Sequence, residues 1–238
     1  MREKKLVLVT GASGRTGRAV ISVLQKYDVR IRAFIRRVQV SDDLKKLGAD
    51  EIILGDLFDF EMLEAAVRGC SQVLHICPPM NPREAELANK ITDLCSMNDV
   101  TRLVLYSVLH PLISEVRHHN LKLQAEEYLI NSGQNYTILQ PGRYMQHHDL
   151  IWTEILETGM HRMPFSIDAK FNIVDLADLA EATALVLTGD SHDFASYQLA
   201  GPDSLSQLDM ARIISEVIGK PVFAETKSTD EFKQSAEK

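Results

Sequence analysis

The stretch VLVTGASGRTGRAV, Val7–Val20, decides the fold. An apolar run enters three glycines, Gly11, Gly14 and Gly17, spaced G-x-x-G-x-x-G. A helical pattern follows over Arg15–Lys26, with Ala19, Val20, Val23 and Leu24 on one face. Each glycine has its own physical use: Gly11 for a tight turn, Gly14 for close approach of a pyrophosphate, Gly17 for close helix–strand packing. The helix start then offers free N–H groups and the positive end of a dipole to phosphates. A turn needed only for packing has the same composition. The position of this one, between the first strand and first helix of a βα series, is what points to a dinucleotide.

Outward from that turn, apolar strands alternate with helices. Strands are expected at Lys5–Thr10, Val29–Arg37, Glu51–Asp56, Ser71–Cys77, Thr101–Ser107 and Asn135–Pro141. Helices are expected near 41–47, 60–68 and 82–97, and from Arg117 on. This repetition predicts an α/β fold, a doubly wound parallel sheet with helices on both faces. Beyond Pro141 the pattern loosens to a helix near 144–157, a loop GMHRMPFSIDAK, strand FNIV, helix DLADLAEATALVL, strand Ser196–Pro202 and helix Ser206–Gly219. The expected organisation is a nucleotide-binding core over 1–142, a small C-terminal α/β substrate lobe over 143–224 interleaved with it, and a polar tail over 225–238, frayed or marginally helical.

The second strand chooses the nucleotide. It ends AFIRR, with Arg36 and Arg37 and no acid for a ribose 2′-hydroxyl. Guanidinium groups there suit a 2′-phosphate, with Arg15 as a second contact, so NADP(H) is favoured over NAD(H); two solvated arginines at a strand end are the plainer alternative. Asp56 and Leu57, after the third strand, are candidates for the adenine edge.

The chain has 238 residues, 45% of them apolar, 26 Lys plus Arg, 33 Asp plus Glu and a net charge of −7. It can build a sizeable core, and it lacks the clustered basic residues that direct nucleic-acid binding needs. MREKKLVLVTG is too short for a signal-peptide core or a membrane span. Cys70, Cys77 and Cys95 are odd in number and lack C-x-x-C spacing, so they read as reduced thiols of a cytoplasmic protein, with neither disulfide nor zinc site expected.

The segments TGASGRTGRAV, RAFIRR, LGADEIILGDLFD, YTILQPGRYMQ, FNIVDLADLAEATALVL and YQLAGPDSLSQLDMARIISEVIGKPV together resemble the NmrA-like atypical short-chain dehydrogenases/reductases, from about Lys4 to Phe223. The resemblance implies a Rossmann core with a small C-terminal substrate lobe, NAD(P) binding, and one of two activities. The first is reduction of a quinone-like or other conjugated small molecule by NADPH. The second is non-catalytic redox sensing that regulates a partner protein. A catalytically dead scaffold ranks below both. Family members continue with a further helix after GKPV; TDEFKQSAEK reads as its beginning, which implies an abbreviated lobe or a shortened chain.

Ordinary short-chain reductases use a Tyr and a Lys four residues apart. Four residues after Tyr27, Tyr106, Tyr128, Tyr136, Tyr144 and Tyr197 stand Ile31, His110, Ser132, Gln140, His148 and Gly201, so that pair is absent. His118 and Lys122 occupy the corresponding places, one turn apart on a helix face. Lys122 either binds ribose hydroxyls or pairs with Glu126 on a solvated face; His118 either supplies a proton near neutral pH or lines the pocket. Ser107 matches the substrate-side serine or simply caps a strand end. The catalytic candidates are therefore Lys122, His118 and Ser107. CPPM, Cys77–Met80, is expected beside the nicotinamide ribose. The cofactor-binding candidates are Gly11, Ser13, Gly14, Arg15, Thr16, Gly17, Arg36, Arg37, Asp56, Leu57, Cys77, Pro78, Lys122 and Pro141.

Tyr144, Met145 and His148 are candidates for the substrate wall, although Met145 and Trp152 also read as core, Trp152 more so. His75, His110, His118, His119, His147 and His148 all follow or end strands, which predicts a histidine-rich rim whose ligand affinity changes between about pH 5.5 and 7.5. For His119 and His147 solvated loop positions fit equally. Adjacent pairs are poor metal spacings, and no metal is expected. The expected partners are a small-molecule substrate or a regulated protein, with no membrane and no nucleic acid; the sequence leaves the oligomeric state open.

Overall fold

The computed structural model describes residues 4–231. In chain order the first elements are β1 (Lys5–Val9), α1 (Arg15–Leu24), β2 (Val29–Ile35), α2 (Ser41–Lys46), β3 (Glu51–Leu54), α3 (Phe60–Val67), β4 (Gln72–His75), α4 (Glu84–Met97), β5 (Arg102–Tyr106), α5 (Arg117–Asn131) and β6 (Tyr136–Pro141). Then come β7 (Arg143–Tyr144), α6 (Trp152–Thr158), β8 (Met160–Met163), β9 (Phe171–Val174), α7 (Leu176–Thr188), β10 (Ala195–Leu199), β11 (Ser204–Leu205), α8 (Gln207–Ile218) and β12 (Phe223–Thr226).

Seven strands form one sheet in the order β10-β6-β5-β4-β1-β2-β3, parallel throughout. Without β10 this is the 3-2-1-4-5-6 order of a doubly wound Rossmann sheet, as expected. β1, β4, β5 and β6 are buried on almost every residue, because helices cover both sides. α1 packs with α7, and α4 with α3 and α5. A cluster including Leu8, Leu63, Ile91, Leu103, Leu129 and Ile138 fills the α3–α4–α5 side.

The chain divides into two compact units. The first comprises residues up to Pro141 together with Leu176–Leu199. The return of the chain to the first unit is secured by Arg102 of β5, whose side chain is buried. It donates to the carbonyls of Val186 (2.7 Å) and Gly189 (2.9 Å) at the end of α7 and pairs with Asp193 (2.8 Å). A cation at the negative end of a helix satisfies carbonyls that have no intrahelical donor.

The second unit comprises Gly142–Asp175 and the residues from Ala200 on. It carries a three-stranded sheet, β11-β9-β7, and a two-stranded one, β12-β8. Here the sequence reading needs correction. The helix expected near 144–157 is interrupted: β7 ends at Tyr144, a 3₁₀ segment follows over Met145–Leu150, and only Trp152–Thr158 is α-helical, closed by Gly159 in the left-handed region. The expected loop GMHRMPFSIDAK contains β8, whose His161 and Met163 alternate inward and which pairs in parallel with β12. β12 continues as far as Thr226, into the stretch read as a polar tail; the part of that tail over 232–238 lies outside the described residues. Among the described residues no helix is long and apolar enough to cross a membrane.

Candidate functional site

In the first unit the turn after β1 meets the chain leaving β4. Gly11 has φ +62°, and a Cβ there would lie 2.5 Å from the Ile76 carbonyl oxygen. A Cβ on Gly17 would lie 2.5 Å from the Gly11 oxygen and 2.6 Å from the Ala12 Cα. Both obstacles are backbone, so both positions require glycine. Gly14 is the N-cap of α1 and contributes no side-chain cap; the first turn of α1 contains no acid. Neither a side-chain cap nor an acid cancels the positive end of this helix. Gly14 and Arg15 are exposed, Ser13 is half-buried and Thr16 is buried.

Arg36 and Arg37 are exposed directly after β2, and among the described residues neither has an ion-pair partner. Arg30 and Arg32, within the strand, are both committed to Glu51. Asp56 is exposed, and its carboxylate accepts from the Phe58 amide at 2.9 Å, shaping the turn after β3. Leu57 packs partly against the core. Cys77 is buried and Pro78 exposed. Burial first, then Glu84, pushes the Cys77 thiol up to about 12, so it is protonated and inert as a nucleophile. Pro141 is buried at the end of β6.

Two of the catalytic candidates, Lys122 and His118, meet at a residue that the sequence does not single out. Glu84, in the first turn of α4, is buried and forms an ion pair with buried Lys122. The alternative in which Lys122 pairs with Glu126 on a solvated face is overturned, since both residues are buried. Lys122 points inward and also donates to the Tyr106 carbonyl at 2.5 Å. His118 Nδ1 lies 3.6 Å from the second Glu84 oxygen. Burial lowers the His118 pKa despite the opposing pull of Glu84, so the ring is mostly neutral at pH 7. Ser107 is buried next to Glu126, whose carboxyl burial pushes up and whose two oxygens accept from Gln140 at 3.1 and 2.9 Å. The available signal for Glu84 was an acid in the first turn of the helix following CPPM; its burial had no signature in the sequence.

The expected histidine-rich rim is corrected at His75. His75 is buried in the first unit, hydrogen-bonded to Thr10 at 2.9 Å, and burial lowers it to about 3, so it stays neutral through the expected window. His110 is exposed, and its carbonyl lies 2.8 Å from His119 Nδ1. His147 and His148 belong to the second unit.

There, Tyr144 is half-buried with its ring stacked on His147 at 5.2 Å. Met145 and Trp152 are exposed, which corrects the core reading for both: the 3₁₀ segment and the short helix after it turn those side chains outward. His148 is buried, with Nδ1 2.9 Å from the Met145 carbonyl. Its ring faces that of His161, centroid to centroid 5.4 Å. Among the described residues there is no group of three or more His, Cys, Asp or Glu able to hold a metal ion.

Comparisons with known proteins agree with this architecture. The NAD(P)H azoreductase of Xenophilus azovorans is 26% identical over 218 residues, 91% of this chain and 75% of that protein. Quinone oxidoreductase 2 of Escherichia coli is 25% identical over 229 residues, 95% of this chain and 79% of that protein. The crystal structure of the Escherichia coli NADPH-dependent quinone oxidoreductase complexed with NADPH superimposes with a TM-score of 0.86 at 25% identity, over 96% of this chain and 81% of that one. That of the Citrobacter triphenylmethane reductase complexed with NADP(H) gives the same TM-score of 0.86 at 25% identity, over 96% and 81%. The model of the NmrA-like family matches residues 3–236, and the chain belongs to that family.

Proposed function

We propose that the protein is an NADP(H)-dependent reductase of a quinone-like or other conjugated small molecule. The turn after β1 carries the reading. Two of its glycines are fixed by backbone where a Cβ would stand, and it opens a ten-residue helix with no side-chain cap and no acid in its first turn. A dinucleotide pyrophosphate fits that cradle. The bare arginines after β2 favour a 2′-phosphate over a 2′-hydroxyl. Relatives that reduce quinones, azo compounds and triphenylmethane dyes support the same direction.

When bound, the nicotinamide supplies a hydride. The chain's own residues position and protect. Lys122 has three N–H donors; Glu84 and the Tyr106 carbonyl take two, which leaves one for a ribose hydroxyl. Glu84 fixes the direction of that ammonium and compensates its charge away from water. His118, neutral at rest and close to Glu84, acts as a relay: one ring nitrogen takes up a proton from solvent as the other gives its own to the reduced oxygen or nitrogen. Ser107 offers a hydroxyl to the substrate. In this reading Gly11, Ser13, Gly14, Arg15, Thr16 and Gly17 hold the pyrophosphate side, and Tyr144, Met145 and His148 belong to the substrate lobe. The site of action is the cytoplasm.

Calorimetric titration with NADP⁺, NADPH, NAD⁺ and NADH under one buffer condition tests the proposal. Tight binding of both NADP forms, followed by NADPH-dependent loss of a quinone chromophore, is the expected result. Binding of the oxidised forms alone, with no turnover, replaces the enzyme with a redox sensor acting through a partner protein. No binding of any form overturns both.

A further inference from the structure

We propose that the second unit contains a receptor for a small organic anion, a carboxylate or sulfonate on a flat molecule, centred on Arg143 with His148, His161 and Gln207. As a statement about substrate class this rests on the reductase reading above; as a binding site it does not.

Two arginines of this unit set the argument. Arg162 has two carboxylates, Glu225 at 2.6 Å and Glu154 at 3.4 Å. Arg143, half-buried, has no carboxylate partner among the described residues. Its guanidinium lies over the rings of Phe165 (5.3 Å) and Phe171 (5.9 Å), with one N–H directed at the Met163 sulfur at 3.8 Å. Ring faces and a thioether leave most of its five donors unused. Burial pulls its pKa down with no carboxylate to oppose it. A partly desolvated cation without a counterion is costly, and a fork of donors framed by aromatic faces is the geometry that receives a planar anion.

The neighbouring polar groups are also incomplete. His161 is 2% exposed, and neither ring nitrogen has a hydrogen-bond partner. Gln207 is equally buried; its amide donates to the Phe165 carbonyl at 2.6 Å while its oxygen has no partner. His148 and Arg143 both depress the His161 pKa after burial does, which places the three groups in one electrostatic neighbourhood. The His161 N–H and the Gln207 oxygen are complementary neighbours, and Gln207 raises the His161 pKa against the effect of burial. Asp149 acts on His148 and Asp175 accepts from Gln146 at 2.9 Å, and among the described residues neither forms an ion pair with Arg143. An anion on Arg143 supplies the counter-charge that this guanidinium lacks.

The test is calorimetric titration of the full chain with 2-naphthalenesulfonate and with uncharged 2-methoxynaphthalene, on wild type, Arg143→Met and Arg143→Lys. The sulfonate is expected to bind wild type at least about tenfold more tightly than the neutral analogue, the size of one charge-assisted hydrogen bond. Arg143→Met should abolish that preference, and Arg143→Lys, which keeps the charge and loses the fork, should retain only part of it. Equal binding of the two probes, no binding of the sulfonate, or full affinity in either variant overturns the proposal. Should Arg143→Met not fold, Arg143→Lys alone decides. NADPH titrated into the same samples separates the two readings: loss of NADPH binding with the sulfonate preference intact removes the reductase and leaves the anion site.

Discussion

Each unit of this protein buries a polar cluster, and the two are finished differently. In the first unit Lys122, Glu84 and the Tyr106 carbonyl close on one another, so charge and counter-charge come from the same chain. In the second, Arg143, His148 and His161 bring donors and positive charge with no carboxylate partner for Arg143. Buried charges are tolerated when paired. A cation paired within the chain is therefore part of the folded framework, whereas one left without a carboxylate is completed by an anion that binds.

That contrast can be broken experimentally, most forcefully at Glu84. Glu84→Gln strands the Lys122 ammonium in the interior and should cost about 3–5 kcal/mol in urea unfolding, with most of it restored by adding Lys122→Met. A loss under about 1 kcal/mol would show that the pair is not the closed cluster described.

Acid should strain both units through their neutral histidines. His75 and His161 are held by burial at about 3 and about 4, below the ordinary 6.5. Between those values the unfolded chain binds protons that the folded one does not, so stability is complete above about pH 6.5 and falls as pH drops from there towards 4. The slope approaches about 1.4 kcal/mol per pH unit for each ring. Urea midpoints measured at pH 7, 6 and 5 check this; a flat series contradicts the burial of both.

A smaller effect sharpens the nucleotide side. Arg36→Ala with Arg37→Ala should weaken NADPH about tenfold relative to NADH, close to 1.4 kcal/mol, read by calorimetry. The smallest shift is expected at Arg143→Met. Since no carboxylate is left behind, melting temperature should report a change within about 1 kcal/mol, or a gain. Removing one charge from each cluster, the anion at Glu84 or the cation at Arg143, thus separates the two.

The parallel sheet was legible because its strands are covered on both faces and so read as continuous apolar runs, and because the glycine turn admits few structures. β8 was not, since only His161 and Met163 of its four residues point inward and neither resembles a strand core in a polar loop. Trp152 misled for the opposite reason: a large aromatic predicts burial, but a seven-residue helix has too little inward face to accommodate it. The spacing of His118 and Lys122 was visible in the sequence. Their common partner Glu84 lies on another helix, and pairing across elements leaves no periodic trace.

Arg102 has a consequence for the order in which the protein is made. Its acceptors at Val186 and Gly189, and the strand β10 that pairs with β6, are translated after the whole Gly142–Asp175 segment has emerged. Until then the nascent first unit exposes β6 as an open edge and holds a guanidinium in a site built for burial. Such an intermediate is sticky and incomplete. The segment 176–199 works as a late clasp, so a ribosome that stalls before it releases a chain primed for aggregation or capture by chaperones.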